Sequence, residues 1–480
     1  MLFAALALLA AAPGPRCVEI AAVSDLHGRV ADLPILAARV TEVRARGPTL
    51  FLDAGDALQG TVEASLSRGE AVVAGYGALG LDAAALGNHD FDYGSETLRQ
   101  RVASAPYPFL AANVWDRATG RRLAWKNLHP RRLFRFPDGP AVGVFGLSGE
   151  DTPWVTMPDN VAGLEFGGAA REAERQARRL RGEGAEIVVG VAHIGGYCTD
   201  FGDPDDLSSC DGKRPLFRLA RRLPAGLVDA VVGGHSHGLV NHRLNGVALL
   251  QTGARAEALG WLTLCAGEPA RFHPFLRPGD GPARRDPKVA AAVAPFLAAA
   301  RAERERLVGV RLERPLTRDR SALSPFGAAA AQSVRAALGT EFAVVNSGSL
   351  RLDLPAGELT YGQLYEAFPF DEGLAVIELH GEELVALLRV LSRDNRFAQA
   401  AGLRWDGTAA RTCAGEPLQP GRLYRVGTNE FVASGGDGAR RVLRGLGPGR
   451  IAVREDLESR DAFLDWLRKV PPERLAEPCP

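Results

Sequence analysis

The chain has 480 residues, 46% hydrophobic and 24% charged, with 57 basic and 57 acidic side chains. That length exceeds one typical hydrophobic core, so two domains are expected. Zero net charge argues against a nucleic-acid backbone or an anionic membrane as the main partner, so an anionic ligand must be drawn by a local site.

Residues 1–12 form an apolar run about as long as a signal-peptide core and too short to span a bilayer. No Lys or Arg precedes it, and Pro13 and Pro15 blur a cleavage site, so a buried first element is the plain alternative. Export is favoured because Pro-Gly-Pro breaks the chain just before the strand-like run from Val18 to Val23. Residues 1–16 are therefore read as a signal peptide, with a periplasmic or extracellular mature chain. No other segment is long and apolar enough to cross a membrane. Six cysteines suit an oxidising compartment, and of fifteen possible pairings Cys198 with Cys210, around an Asp/Gly/Ser-rich loop, is favoured. Cys265 could equally be a buried thiol, and the lack of a Cys-x-x-Cys spacing disfavours a zinc site.

From Val18 to about Phe275, apolar β-rich runs alternate with helical stretches such as 35–46 and 169–182, which is a layered α/β pattern. Residues 277–282 read as a linker, and 286–308 as an Ala-rich helix bridging to a second α/β block from about Arg311. The domain expectation is 17–280, a connecting segment 281–310, and 311–480.

Polar loops follow five of the apolar runs. They carry Asp25 and His27, Asp53 and Asp56, Asn88 and His89, His193, and His235 and His237. Five of the chain's nine histidines lie in them. Each loop alone is an ordinary turn with a surface histidine. Together, two carboxylates, an amide and several imidazoles at strand ends suit a pair of divalent ions. Asp56 is the natural shared carboxylate, while Asp53 reads as a brace for its loop. His89 offers a proton or a cationic charge, with Asp92 placed to orient it.

In this order, Asp-x-His, Gly-Asp, Gly-Asn-His-Asp, His and Gly-His-x-His resemble the calcineurin-like metallophosphatases. Phe91-Asp92 and the C-terminal half resemble the 5′-nucleotidase and UDP-sugar hydrolase branch. The resemblance implies a four-layer α/β/β/α sandwich joined by a helix to a smaller α/β substrate domain. It implies one metal on Asp25, His27, Asp56 and His237, and another on Asp56, Asn88, His193 and His235. Zn, Mn, Co or Fe would all suit this set. It further implies that His89, paired with Asp92, stabilises transition-state charge; Asp90 receives no role.

In the second half, the Gly/Ser loop from Asn346 to Arg351 follows a strand and ends in a guanidinium suited to phosphate. It resembles the family's Asn-Gly-Gly-x-x-Arg element, where Asn and Arg contact substrate. Phe370, Phe431 and Asp437 match the positions where nucleotidases stack the base and accept ribose hydroxyls. Arg320 keeps a phosphate-binding position, although Ser321 to Gly327 depart from the family pattern and Pro325 alters the helix start. Asp371-Glu372 add acid near the base, where they could repel a second phosphate or alter base preference.

The expectation is an exported hydrolase of nucleotide phosphate esters, with a hinge at the bridging helix. A 2′,3′-cyclic phosphodiesterase or nucleotide-sugar hydrolase on the same scaffold is the alternative. The thiosulfohydrolase branch is disfavoured by the paired Phe370 and Phe431, and a non-catalytic nucleotide-binding module by the complete ligand set. Oligomeric state, metal identity and base preference stay open.

Overall fold

The computed structural model describes residues 16–280, 284–393 and 395–479. The expected signal peptide, apart from Arg16, and part of the linker fall outside them. Two sheets face each other in the first half. One runs Arg271–Phe272, Gly260–Cys265, Cys17–Val23, Thr49–Asp53, Ala83–Ala85, Phe109–Leu110, Leu128–His129. The other runs Leu239–Leu244, Val247–Thr252, Ala230–Val232, Ile187–Ala192, Ala141–Leu147, Arg131–Arg135.

Strand alternation explains the layering. Val18, Ile20 and Ala22 point between the sheets, where they meet Val142, Val144, Val189 and Val232. Ala21 and Val23, on the opposite face, pack beneath helices Leu33–Arg44 and Glu70–Leu79. Helices Ala169–Gly182 and Pro215–Arg222 cover the outer face of the second sheet through Ala173, Leu180 and Phe217. The result is the expected four-layer α/β/β/α sandwich.

The second half is built on a five-stranded sheet in the order Gln399–Ala401, Phe342–Val345, Leu423–Asn429, Gly373–His380, Ile451–Glu458. Helix Pro325–Leu338 packs on one face through Ala331 and Val334, and Gly381–Leu391 on the other through Leu384 and Leu388. Pro325 takes the first helical position and the Ser324 hydroxyl accepts the N–H of Gly327 at 2.9 Å, so the altered sequence still starts a helix cleanly.

The bridging helix spans Pro287–Glu305, with the Asp286 carboxylate capping Val289 N at 3.0 Å. It ends earlier than the expected Val308, because Leu307 opens a strand, Leu307–Leu312, that pairs with Gly357–Thr360. Edge pairing there recruits backbone that an Ala-rich pattern alone assigns to helix.

Cys198 is bonded to Cys210 as expected. Cys265 is not a free thiol: it joins Cys17 on the neighbouring antiparallel strand, and Cys413 joins Cys479.

Candidate active site

The carboxyl ends of the parallel strands deliver the polar loops to one place, the usual location of sites in such sheets. Cys17–Val23 leads to Asp25 and His27, Thr49–Asp53 to Asp56, and Ala83–Ala85 to Asn88 and His89. From the second sheet, Ile187–Ala192 leads to His193 and Ala230–Val232 to His235 and His237. Asp25, His27, Asp56, His235 and His237 all have positive φ, between 47° and 76°. Non-glycine residues rarely adopt that conformation, and its concentration here marks backbone shaped around side-chain placement. Gly87 is demanded by crowding: a Cβ there would lie 2.1 Å from Asp56 Oδ1.

Two donor groups result. The candidate ligand atoms of Asp25, His27 and His237 lie within 4.8 Å of one another, as do those of Asp56, His193 and His235. His27 Nε2 is 3.0 Å from His237 Nε2. His193 Nε2 is 3.1 Å from both Asp56 Oδ2 and Asn88 Oδ1. Asn88 Oδ1 is also 2.9 Å from His235 Nδ1, and its orientation is fixed by Nδ2 donating to Val155 O at 2.8 Å. His193 Nδ1 lies 2.9 Å from Ala54 O and His27 Nδ1 3.3 Å from Gln59 O, which directs both Nε2 atoms inward.

The electrostatics divide the imidazoles. Burial, then the Arg351 charge, pushes His27 and His237 well below the usual histidine range, so both are neutral electron-pair donors. Against the cost of burial, the Asp56 carboxylate raises His193 to about 10. Despite burial, Asp56 is held well below its usual range by His193 and His89. His89, also against burial, is raised by Asp92 and then Asp56, which favours its cation. Asp92 Oδ2 lies 2.8 Å from His89 Nδ1, and its other oxygen accepts from Thr156 Oγ1 at 3.0 Å. The neutral nitrogens of His27 and His237, an amide oxygen and carboxylates turned toward common points fit divalent cations, and His193 would release its proton to take part.

Asp53 braces its loop only weakly: both its carboxylate oxygens are buried without a hydrogen bond of normal geometry among the described residues, and only the Gly55 N–H acts on them from the same loop. Asp90 does the bracing, accepting the backbone N–H groups of Asp56, Ala57, Leu58 and Gly87 at 2.8–3.1 Å. The sequence reading also passed over Asp151, whose carboxylate stands 3.4 Å from His235 Nε2 on the side away from Asn88. Its position just past strand Ala141–Leu147 was the available signal.

The second half closes over this cluster. Arg351 Nη2 reaches within 3.0 Å of His27 Nε2, and Phe370 stacks on His89 with ring centres 5.5 Å apart. Arg29 pairs with Glu366 at 2.8 Å, and Gln59 Nε2 donates to Pro369 O at 3.2 Å. A cavity of about 170 Å³ lies beside the cluster, lined by Ser236, His237, Arg318, Arg320, Gly348, Leu350 and Arg351. Loss of bulk water, then the charge of Arg255, pushes Arg351 down to about 10; Arg255 is likewise pushed to about 10, by burial and then by the charge of Arg318. Such crowded guanidiniums suit an anion. Arg255 and Arg318 escaped the sequence reading because isolated arginines in loops carry no pattern.

Asn346 Nδ2 donates to Asp437 Oδ2 at 2.8 Å, and the other Asp437 oxygen pairs with Arg396. Phe431 lies against Gly436, where any Cβ would come within 2.4 Å of its ring. Both members of the acidic pair are already engaged by protein groups. Asp371 pairs with Arg460, and Glu372 is buried, accepting from Asn429 Nδ2 at 2.8 Å and Phe431 N at 3.1 Å.

Residues 18–239 match the calcineurin-like phosphoesterase family, so fold and cluster together define a hydrolase of phosphate esters. Residues 300–444 match the C-terminal domain of 5′-nucleotidases. The chain is 29% identical over 450 residues to protein UshA of Yersinia enterocolitica, covering 83% of this chain and 80% of that one. It is 27% identical over 449 residues to a 5′-nucleotidase of Vibrio cholerae, covering 82% and 78%. The crystal structure of a 5′-nucleotidase precursor from Thermus thermophilus superposes with a TM-score of 0.78 at 25% identity, covering 94% of this chain and 96% of that one. The chain belongs to the 5′-nucleotidase family, with an N-terminal calcineurin-like phosphoesterase domain.

Proposed function

We propose that this protein is an exported nucleotide phosphohydrolase of the 5′-nucleotidase type, working with two divalent ions from among Zn, Mn, Co and Fe. Asp25, His27, Asp56 and His237 would hold one ion, and Asp56, Asn88, His193 and His235 the other. When bound, such ions lower the pKa of water and offset charge on phosphoryl oxygens. Three disulfides among the described residues support export. The observation that carries the reading is the meeting of two unlike surfaces. Arg351 and Phe370, from the second half, lie directly on His27 of the metal-ligand cluster and on His89 beside it.

Arg351 and Arg320 would bind the phosphate oxygens, and Asn346 and Asp437 the sugar. Each Asp437 oxygen already accepts one hydrogen bond and keeps capacity for a hydroxyl donor. Phe370 and Phe431 would supply apolar faces for a base. His89, held by Asp92, presents a cation where negative charge grows on the phosphoryl group, and can give a proton to the departing alkoxide.

The test is phosphate release by the mature protein with added Mn or Zn, across AMP, ADP, ATP, UDP-glucose, 2′,3′-cyclic AMP and an aryl phosphate, with His89→Ala alongside. Preference for nucleotides, lost in the variant, is the expected result. Equal rates on every ester would keep the metal cluster and reject the nucleoside pocket.

A further inference from the structure

The segments proposed to hold the nucleoside converge on one buried side chain that has no part in that proposal. Asn429 closes strand Leu423–Asn429 and is fully buried. Its Nδ2 lies 3.0 Å from Asn346 Oδ1, 3.0 Å from Ser349 Oγ and 2.8 Å from Glu372 Oε1. Its own oxygen accepts Val432 N at 3.4 Å, at the start of the short helix Glu430–Ala433. Glu372 continues the chain of contacts: its second oxygen accepts the backbone N–H of Phe431. Asn346 passes it to Asp437, and Ser349 Oγ donates back to Asn346 Oδ1 at 2.7 Å.

These bonds set a geometry that sequence spacing cannot. Phe370 is two residues from Glu372, while Phe431 hangs from the Glu372 carboxylate by its backbone. Asn429 and Glu372 therefore fix both aromatic segments relative to each other. The same amide fixes the Asn346 carbonyl oxygen, which leaves Asn346 Nδ2 facing Asp437. A buried polar network with its partners in place is rigid, and loss of one member leaves donors stranded.

We infer that Asn429 and Glu372 are positioning residues that hold the two aromatic segments and the Asn346–Asp437 pair in register for a nucleoside, without touching it. The inference rests on the nucleoside-pocket reading and adds to it the parts that set substrate selectivity. The metal cluster lies outside the network, and Arg351, in the same loop as Asn346 and Ser349, is anchored separately by its backbone N–H donating to Ala367 O at 2.8 Å, so hydrolysis of a small phosphate ester depends on the network far less than that of a nucleotide.

The experiment uses the full mature chain, metal-loaded, as wild type, Asn429→Ala, Glu372→Gln and Ser349→Ala. Each is assayed for kcat and KM on AMP and on an aryl phosphate, and titrated calorimetrically with adenosine. For Asn429→Ala and Glu372→Gln, the AMP KM and the adenosine Kd should rise about tenfold or more, equal to about 1.4 kcal/mol. Aryl phosphate kcat/KM should stay within about twofold, and Ser349→Ala, which removes one contact at the edge of the network, should give a smaller rise of the same kind. A parallel loss on AMP and aryl phosphate would show a merely structural role and overturn the inference, as would unchanged AMP kinetics in Glu372→Gln. Should Asn429→Ala lack aryl phosphatase activity through misfolding, Glu372→Gln and Ser349→Ala decide the matter. A wild type that neither binds adenosine nor prefers AMP would instead overturn the nucleoside-pocket reading itself.

Discussion

The Asp90 carboxylate accepts the backbone N–H of Asp56 at 3.1 Å, and with its two oxygens gathers three further N–H groups from Ala57, Leu58 and Gly87. Asp56 answers by accepting the N–H of His89 at 2.7 Å. The loop carrying Asp56, the carboxylate proposed to be shared, and the loop carrying Asn88 and His89 are thus stitched together by two buried acids, before any ligand is bound.

Asp90→Ala would leave four buried donors without that acceptor. A loss of about 3–5 kcal/mol in unfolding free energy is expected, as for other broken buried charge networks. Asp90→Asn, which can accept but not on both sides, should fall between. Chemical denaturation measures both, and wild-type stability in Asp90→Ala would refute the bracing role.

His89→Ala should lower kcat on nucleotide by about 10²–10⁴, the range typical of a lost acid–base group, while nucleotide binding changes little. Asp92→Asn should show a smaller loss of the same kind, since it leaves the ring in place and weakens the field that favours its cation. Stopped turnover with weakened binding would instead place His89 in ground-state recognition.

Asp151 sits on the outer nitrogen of His235, the arrangement that orients metal-bound imidazoles. His235 and then His193 hold its carboxyl down to about 2 against the cost of burial. Asp151→Ala should weaken metal retention by about 10–100-fold, as outer partners of metal ligands commonly do. Competition with a calibrated chelator reads this directly, and unchanged retention would remove Asp151 from the site.

Burial raises the Glu372 carboxyl from 4.5 to about 7, with Asn429 and Phe431 N opposing the shift. As pH climbs through that interval, the unfolded chain releases the proton before the folded one. Stability from this group is therefore full below about pH 4.5 and lost by about pH 7, on the order of 3 kcal/mol. Between those limits the stability of wild type, read by thermal unfolding, should fall more steeply with pH than that of Glu372→Gln, in which the other raised buried acids, Asp25 and Asp90, still titrate. Parallel curves would mean that the group titrates normally in the fold.

The metal-ligand side of the site was legible because its chemistry is written locally. Each loop follows its own strand, so Asp25, His27, Asp56, Asn88, His193, His235 and His237 could be picked out as candidate ligands one strand at a time, and the structure gathers Asp25 with His27 and His237, and Asp56 with His193 and His235. Asp53 and Asp90 show where that stops. Both are buried acids in the right loops, and which one meets the free N–H groups depends on how two turns are stacked, a relation between distant segments. The same limit hid Asp151, and it made Glu372 look like an acid facing the ligand. The helix overran to Val308 because composition reports propensity, while pairing of Leu307–Leu312 with Gly357–Thr360 is decided by a strand some fifty residues later.

The Cys17–Cys265 link has a consequence for how the protein is made. Strand Cys17–Val23 is inner to its sheet, with one neighbour, Thr49–Asp53, following soon and the other, Gly260–Cys265, ending 248 residues after Cys17. A nascent chain can pair the first side early, but the second side waits until synthesis has passed Cys265. Until then the opening strand has an unpaired edge and its thiol has no native partner. Cys198, whose partner is 12 residues away, has no such delay. Oxidation should therefore follow synthesis in a fixed order, the short loop first and the sheet-closing link late, leaving a period in which Cys17 is open to wrong pairing.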